Sequence, residues 1–352
     1  ASELNRALLK LLSAPNISSK ESVIRTYDHE VQGNTVLKPL HGNQAGPNDA
    51  SVLKPLPDSW RGVVISCGMN PNYGKISTYW MAASSIEEAI RNNVAVGGRR
   101  IALLDNFTWG NPEKPEQLSA LIDACEACYD LARSLGTPFI SGKDSLYNES
   151  PLGPVTPTLL ITAIGVIPDV RKAISLDFKR PGDAIYVVGN TYPEMGGSEY
   201  YRLFGEIGKS VPVVRATKSK KVLNSITRAI DSGYIRACHD LSEGGLGVAA
   251  AEMVLSGKNG AELDLENVPI SAKHGMRDDV MLFSESNSRF LVEVVHGKEK
   301  KFEKLLKCDF GLIGRVSDSD ILFVRGKSGK IIEVESKKLR EAWKRGLASQ
   351  VG

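Results

Sequence analysis

The sequence predicts an α/β protein built from two units, and three observations support this prediction. Apolar runs of strand length alternate along the chain with longer stretches of helical periodicity. A charged segment rich in turn-forming residues, 168–183, separates two such series. The chain has 352 residues, which is enough for two domains of ordinary size. We therefore expect an N-terminal helix and linker at 1–57, a first α/β unit at 58–168 and a second α/β unit at 169–352.

The N-terminal part is expected to contain little regular structure. One short amphipathic helix is predicted within residues 1–20, with a break at Pro15 and Asn16. Residues 18–57 are polar and rich in Gly and Pro, so few regular elements are expected there. Because so long an irregular stretch is unusual inside a compact domain, it predicts a segment that wraps around or links larger pieces.

The first unit shows a clear alternation of strands and helices. Gly97 and Gly136 each follow an amphipathic stretch and predict where those two helices end. The apolar runs between them have the length and composition of buried strands. The predicted strands are 61–68, 100–107, 137–145 and 156–167, and the predicted helices are 85–97 and 115–136.

The second unit continues the pattern with more strands. A stretch at 234–247 is predicted to be a strand that enters a glycine-rich turn, and a helix of small residues follows it. The other predicted strands are 184–190, 288–295, 311–316 and 321–326, and the predicted helices are 218–233, 247–257 and 337–347.

Composition narrows the class of protein. The net charge is only +3, which gives no reason to expect nucleic-acid or membrane binding. No apolar run approaches the ~20 residues of a membrane-spanning helix, and the N-terminus lacks the pattern of a secretory signal. The five cysteines are scattered, and the pair Cys125 and Cys128 lies inside a predicted helix, which favours packing over a zinc or redox site. A cytoplasmic location is expected.

The first candidate site lies near the end of the strand at 100–107. Asp105 and Asn106 offer hard oxygen atoms, which suit Mg²⁺ or a nucleotide hydroxyl. The alternative interpretation is that both side chains only cap a turn.

The second candidate is the sequence SGKDSL, which also follows a predicted strand. Gly142 would let a ligand approach the backbone closely, and Lys143 could face a phosphate. Asp144 or Ser145 could bond a polar substrate. The spacing is not that of a P-loop, and an ordinary polar turn is the alternative.

Two further candidates lie in the second unit. His239 and Asp240 close a strand before a glycine-rich turn, whose backbone N–H groups could bind phosphate. His239 could instead pack in the core or orient Asp240. Glu285 precedes another strand and could form either part of a ligand site or an ion pair with Arg289. The sequence shows no arrangement typical of a covalent nucleophile.

Taken together, these strings resemble one enzyme family. The segment ALLDNFTWGNPEKPEQ…SGKDSLYNES (102–150) looks like the second half of phosphoribosylformylglycinamidine synthase, and so does YDHEVQGNT (27–35). LFSESNSRFLVEV (282–294) fits the same family. HDLSEGGL (239–246) is shared with aminoimidazole ribonucleotide synthetase and so indicates only the superfamily. The resemblance runs from about Ala14 to the closing helix.

The resemblance implies a fold and a reaction. In this family two tandem halves each contain an A and a B domain, and the A domains join into a central β-barrel flanked by the α/β B domains. This chain resembles the second A domain, to about 168, and the second B domain. The implied reaction uses ATP and Mg²⁺ to convert formylglycinamide ribonucleotide to its amidine, by phosphoryl activation of the amide oxygen and displacement of phosphate by ammonia.

The resemblance also assigns residues and partners. The nucleotide-binding positions of the family correspond to Asp105, Asn106 and Gly142. A substrate-binding position corresponds to Ser145. Lys143 stands where relatives of a shorter type carry an Asn that binds Mg²⁺. A protonated Lys cannot bind Mg²⁺. We therefore expect Lys143 to contact phosphate instead, and the metal ligands stay undefined.

The family's catalytic His pair belongs to the first half, so no catalytic residue is expected in this chain, which we expect to be incomplete alone. The implied partners are that first half, a glutaminase subunit and a small accessory subunit. His239, Asp240 and Glu285 would line a second, degenerate cleft. Alternative hypotheses are a non-catalytic nucleotide-binding module and a complete homodimeric synthetase. In isolation an uncovered sheet face predicts a homodimer.

Overall fold

The structure is a computed structural model that describes residues 2–42, 44–272 and 275–348. Short 3-10 helices occur at Val31–Gly33, Val170–Lys172 and Leu265–Asn267. The α-helices are α1 (Ser2–Leu12), α2 (Glu21–Ile24), α3 (Pro71–Gly74), α4 (Thr78–Ala95), α5 (Pro115–Leu135), α6 (Glu199–Arg202), α7 (Ala216–Asp231), α8 (Gly245–Ser256), α9 (Asp278–Phe283), α10 (Glu299–Leu305) and α11 (Ser336–Ala348). The strands are β1 (Thr35–Leu37), β2 (Leu40–His41), β3 (Gly46–Pro47), β4 (Ala50–Leu53), β5 (Gly62–Gly68), β6 (Arg99–Thr108), β7 (Phe139–Ser145), β8 (Glu149–Ser150), β9 (Gly153–Pro154), β10 (Thr158–Ile167), β11 (Ala184–Val188), β12 (Ile235–Asp240), β13 (Gly260–Asp264), β14 (Phe290–Val294), β15 (Phe310–Ser317), β16 (Ile321–Gly326) and β17 (Gly329–Glu335).

The first sheet contains six strands in the order β1-β4-β5-β10-β6-β7. All neighbouring pairs are antiparallel except β6 and β7, which are parallel. Along β10 every second residue is buried, which is the pattern of a sheet covered on one face. Helix α4 packs on that face, and apolar residues of α5 join the same hydrophobic core. On the opposite face Ile65 and Val166 remain 40% and 39% exposed.

The second sheet contains seven strands in the order β12-β14-β11-β15-β13-β16-β17. It is antiparallel except for the pair β13 and β16. Every residue of β11 and β14 is buried, because helices cover both faces of the sheet. Ile185 and Val187 pack on the side of α1, α8 and α11, whereas Tyr186 packs with α7, α10 and α4.

Helix α4 joins the two units. Its N-cap is Ser77, whose hydroxyl accepts a hydrogen bond from the N–H of Trp80. Nearly all of its residues are buried, since one side packs on the first sheet and the other on β12 and α7. A helix enclosed in this way keeps few exposed polar positions, and its charged residues must therefore find partners in the interior.

Most predicted elements are confirmed within one or two residues. The helix predicted at 85–97 begins earlier, at Thr78, because the cap at Ser77 was not recognised. The prediction of little regular structure for 18–57 is wrong in part, since β1 and β4 pair with each other and β4 pairs with β5. Strands β13 and β17 and helices α9 and α10 were not predicted, because each is short and gains its stability from neighbouring strands and helices.

Candidate functional site

The first two sequence candidates lie side by side on β6 and β7. The parallel register pairs Asp105 with Gly142, Asn106 with Lys143 and, two positions further on, Thr108 with Ser145. We call these paired residues, 105–108 of β6 and 142–145 of β7, the β6–β7 strip. Asp105 and Asn106 lie in a strand, as expected. The polar residues at 142–145 were expected to follow a strand and instead lie within β7, which corrects that part of the prediction.

The strip presents different groups on its two faces. Successive strand residues point to opposite faces and paired residues to the same face. Asp105, Gly142 and Asp144 therefore face α5, and Asp105 and Asp144 line a cavity of about 220 Å³ there. Asn106, Lys143 and Ser145 lie on the open face of the sheet.

Gly142 is required by the position of Asp105. A Cβ atom at residue 142 would collide with the Asp105 carboxylate, so only glycine leaves that carboxylate beside the β7 backbone. Burial raises the pKa of Asp105, and Asp144 raises it further through its charge and a shared hydrogen bond. Two facing carboxylates favour a cation or a hydroxyl donor between them. The cavity wall also contains Phe107, Leu121, Cys125, Cys128, Phe139 and Leu146.

Lys143 is the cation of the strip. Its side chain is exposed on the edge strand β7, and its ammonium group forms no hydrogen bond or ion pair with any residue that the structure describes. Ser145 is held by the following turn, where the Asn148 side-chain amide donates to the Ser145 carbonyl at 2.5 Å. An exposed ammonium beside an exposed backbone can contact an anionic ligand.

The third and fourth candidates meet in a second, buried region. It lies where the glycine turn before α8 approaches α4 and the loop before β14. His239 is held on both ring nitrogens: Nδ1 lies 2.6 Å from an Asp49 carboxylate oxygen and Nε2 lies 3.0 Å from Glu252. Burial opposes protonation, but Asp49 and Glu252 raise the pKa of His239 well above its ordinary value. The imidazolium therefore acts as a buried link between two carboxylates.

Asp240 has a cationic partner from the other unit. The Arg91 guanidinium of α4 contacts Asp240 at 3.0 and 3.1 Å and also binds Glu87. Arg91 is 1% exposed. Glu87 accepts further hydrogen bonds from Ser219 and the Ser288 N–H. This chain of contacts joins α4, β12 and α7 through their charged groups.

Glu285 is held by hydrogen bonds and does not form the ion pair with Arg289 that the sequence suggested. Its carboxylate accepts hydrogen bonds from the Tyr73 hydroxyl at 2.7 Å and from the N–H groups of Glu199 and Gly244, each at 2.9 Å. The proposed pairing with Arg289 is wrong, because that guanidinium donates instead to the Ser284 and Ser286 carbonyls and the Thr191 hydroxyl.

We call Glu88, Asp240, Glu243 and Glu285, together with Arg91, the acidic cleft. Burial raises the pKa of Glu243 to about 7 and that of Glu285 to about 8, and Glu88 is raised well above its ordinary value. The Asn92 side-chain oxygen is buried without a hydrogen-bond partner in the described part of the chain. The cleft thus gathers four carboxyl groups around one buried guanidinium.

Sequence reasoning missed three members of the acidic cleft, Glu88, Arg91 and Glu243. It also missed Glu87 and Asp49, which contact Arg91 and Asp240 from outside the cleft. Glu87 and Arg91 have the spacing of an ordinary exposed helical pair, and that spacing gave no sign that the helix is buried. Asp49 lies in the segment expected to be a linker. The carboxylate, amide and imidazole groups come together only because α4 is enclosed between the units.

The comparisons with known proteins agree with this architecture. Residues 47–167 match the family described as AIR synthase related protein, N-terminal domain, and residues 180–327 match AIR synthase related protein, C-terminal domain. The chain therefore belongs to the AIR synthase related family. The mixed α/β class with an open A-domain sheet and a flanking α/β unit is confirmed.

Within that family the chain resembles one enzyme subunit over most of its length. It is 39% identical over 359 residues to "Phosphoribosylformylglycinamidine synthase subunit PurL" of Methanothrix thermoacetophila, covering 98% of this chain and 45% of the relative. It is 40% identical over 323 residues to PurL of Thermococcus sibiricus, covering 91% and 43%. The chain thus spans about half the length of the curated relatives it matches, and the resemblance read from the motifs is confirmed.

Solved structures give the same fold. "T. maritima PurL complexed with FGAR" superposes with a TM-score of 0.78 at 19% identity, covering 95% of this chain and 52% of that one. "T. maritima PurL complexed with ATP" gives 0.64 at 20% identity, covering 79% and 44%. "Structure of PurLQS from Thermotoga maritima" gives 0.70 at 20% identity, covering 83% and 46%. Within the described residues no helix is long and apolar enough to cross a membrane.

Proposed function

We propose that this chain supplies the second half of an ATP-dependent phosphoribosylformylglycinamidine synthase of purine biosynthesis, acting in the cytoplasm. The substrate would be formylglycinamide ribonucleotide, and the products would be its amidine, ADP and phosphate. The observation that carries the proposal is the β6–β7 strip, where the matched nucleotide and substrate positions lie on adjacent parallel strands. The PurL relatives and the FGAR and ATP complexes of Thermotoga maritima PurL support it.

The strip suggests a division of roles. On the α5 face Asp105 would bind a nucleotide hydroxyl or a bound cation, and Gly142 leaves the backbone accessible beside it. On the open face Lys143 would contact a phosphate oxygen, and Ser145 would bond the second substrate. The rate gain in such a site comes from positioning and charge stabilisation, since phosphoryl transfer asks little covalent chemistry of the protein.

Magnesium fits one pair of carboxylates in this chain. Asp105 and Asp144 face each other in the strip, and such a carboxylate pair would accept a divalent cation. Asp49, His239 and Asp240 lie close enough for a site, but both nitrogens of His239 are already engaged. The cation would neutralise charge on bound phosphates.

The open face of the first sheet suggests how the chain is completed. It carries the apolar residues Ile65 and Val166, and its edge strand β7 carries the strip. Pairing with the corresponding sheet of a first half would cover this face and close a barrel beside the strip. In the absence of that half, a second copy of this chain would serve, which predicts a homodimer. A glutaminase and a small accessory subunit would supply ammonia to the completed enzyme.

The four histidines that the structure describes, His29, His41, His239 and His296, lie outside the cavity of the strip, which is compatible with a contributing half. Among the residues described, His239 is enclosed by Asp49 and Glu252, and His41 is paired with Asp177 at 2.9 Å. Neither lines the cavity of the strip. The same observation is compatible with a non-catalytic nucleotide-binding module, which is the second candidate.

A complementation assay tests the proposal. The chain would be mixed with the N-terminal half of the Methanothrix PurL relative, and ADP formation would be followed with formylglycinamide ribonucleotide, ATP and ammonia. We expect activity only in the mixture. Nucleotide binding without activity in the mixture would favour the non-catalytic module, and full activity from the chain alone would contradict both.

A further inference from the structure

A cavity outside the two sites lies in the second unit and is lined by four cationic side chains. Its volume is about 200 Å³, and it lies between the end of β11, the first turns of α7 and the segment before β15. Arg215, Lys218, Lys221 and Lys307 line it. We call this cavity the basic pocket. Its other walls are Gly189, Asn190, Tyr192, Val213, Val222, Asn287, Ser288, Cys308 and Asp309.

The cations of the basic pocket outnumber the acids that reach them. Glu194 pairs with Arg215 at 2.6 Å, and the Asp309 carboxylate accepts a hydrogen bond from the Asn190 amide. Four cationic side chains against these two carboxylates leave a surplus of two positive charges. The side chains of Lys221 and Lys307 form no ion pair with any residue in the described ranges.

The backbone adds to the attraction for an anion. Lys218 and Lys221 lie on the first two turns of α7, and this end of a sixteen-residue helix carries the positive end of its dipole. Gly189 has φ 103° and Ser288 has φ 62°, so two wall segments are held in left-handed conformations at the cavity. A non-glycine residue with positive φ that lies in a cavity wall is a feature found often at ligand sites.

The walls also restrict the size of the ligand. A cavity of about 200 Å³ holds roughly seven water molecules, and it is smaller than the ~300 Å³ at which pockets for drug-sized ligands begin. Val213 and Val222 offer an apolar surface opposite the lysines. The Arg215 guanidinium already covers the face of Tyr192, at 3.6 Å from the ring centre, so a nucleobase cannot stack there.

We propose that the basic pocket binds a small phosphate monoester, at most the size of a pentose phosphate, or free phosphate. The dianion would match the surplus of two charges, Lys221 and Lys307 would contact its oxygens, and the valine wall would contact the sugar carbons. The site is separate from the β6–β7 strip and does not depend on the function proposed for it.

Calorimetric titration of the chain tests the basic pocket with three probes: ribose 5-phosphate, inorganic phosphate and ribose. We expect ribose 5-phosphate to bind and ribose not to bind. The double variant Lys221→Met with Lys307→Met should weaken binding at least about tenfold. The matched control Lys300→Met with Lys301→Met removes the same charge from the exposed face of α10 and should leave affinity unchanged. Lys143→Met shows whether the phosphate is instead bound at the β6–β7 strip.

The titrations distinguish free phosphate from a phosphate ester as the ligand of the basic pocket. Equal affinity for inorganic phosphate and ribose 5-phosphate supports the site and makes free phosphate its ligand, whereas tighter ester binding supports a contribution from the valine wall. The proposal is overturned if neither phosphate binds, if both double variants weaken binding equally, or if Lys143→Met alone abolishes it. Far-UV circular dichroism and thermal unfolding of each variant confirm that the chain remains folded.

Discussion

The β6–β7 strip and the acidic cleft contain the same kinds of side chain in opposite settings. In the strip Lys143 is exposed and unpaired within the described structure, and Ser145 is only half-buried on an open sheet. In the cleft Asp240 and Glu285 are 3% and 2% exposed and fully engaged by Arg91, Tyr73 and backbone N–H groups. The strip therefore has capacity left for a ligand or partner, whereas the cleft groups first of all hold the two units together.

The largest expected effect is the loss of stability when the buried ion pairs of Arg91 are broken. Arg91→Met leaves the buried carboxylates of Glu87 and Asp240 without their cation and should lower the free energy of unfolding by about 3–5 kcal/mol. Arg99→Met breaks an exposed pair with Asp231 and should cost at most about 1 kcal/mol. Urea unfolding of both variants measures the difference. Similar losses would contradict a structural role for the cleft.

A second test concerns the open face that carries the strip. Ile65→Glu places a carboxylate at the centre of this face and should weaken self-association on the order of 100-fold, about 3 kcal/mol, because the charge would be buried on pairing. Leu152, which is 99% exposed in the β8–β9 turn, gives the control Leu152→Glu. Analytical ultracentrifugation at micromolar concentration reports the change. A monomeric unmodified chain would contradict the predicted homodimer.

The cleft also predicts a pH dependence of stability. The pKa values of Glu243 and Glu285 are raised from 4.5 to about 7 and about 8. The folded chain then binds more protons than the unfolded chain above about pH 4.5, so the free energy of unfolding falls as the pH rises towards 8, by about 1.4 kcal/mol per pH unit for each proton. Glu285→Gln should make this fall less steep, and Glu262→Gln, at an exposed position, should not. Urea midpoints between pH 5 and pH 8.5 measure the slopes.

The smallest expected effect tests the strip directly. Lys143→Met should weaken ATP binding about tenfold in the mixture with a first half, because one charge-assisted contact to phosphate is lost. Lys258→Met removes an exposed charge outside the β6–β7 strip and serves as the control. Titration with ATP distinguishes the two variants. Unchanged affinity of Lys143→Met would remove the proposed phosphate contact.

The sequence by itself determined the local elements and the polar candidates. The apolar runs and the glycines at 97 and 136 fixed most strands and helix ends, since these depend on residues close in the chain. Asp105, Gly142, Lys143 and Ser145 were found because they interrupt those apolar patterns.

Only the tertiary structure decided which of these residues meet. The pairing of Asp105 with Gly142 depends on β6 and β7 being parallel neighbours, although α5 separates them along the chain. The contact of Arg91 with Asp240 joins residues 149 positions apart. Such contacts depend on how sheets and helices pack, and a one-dimensional pattern does not specify that packing. This is the physical reason why the residues of the strip could be anticipated, whereas of the acidic cleft only Asp240 and Glu285 were.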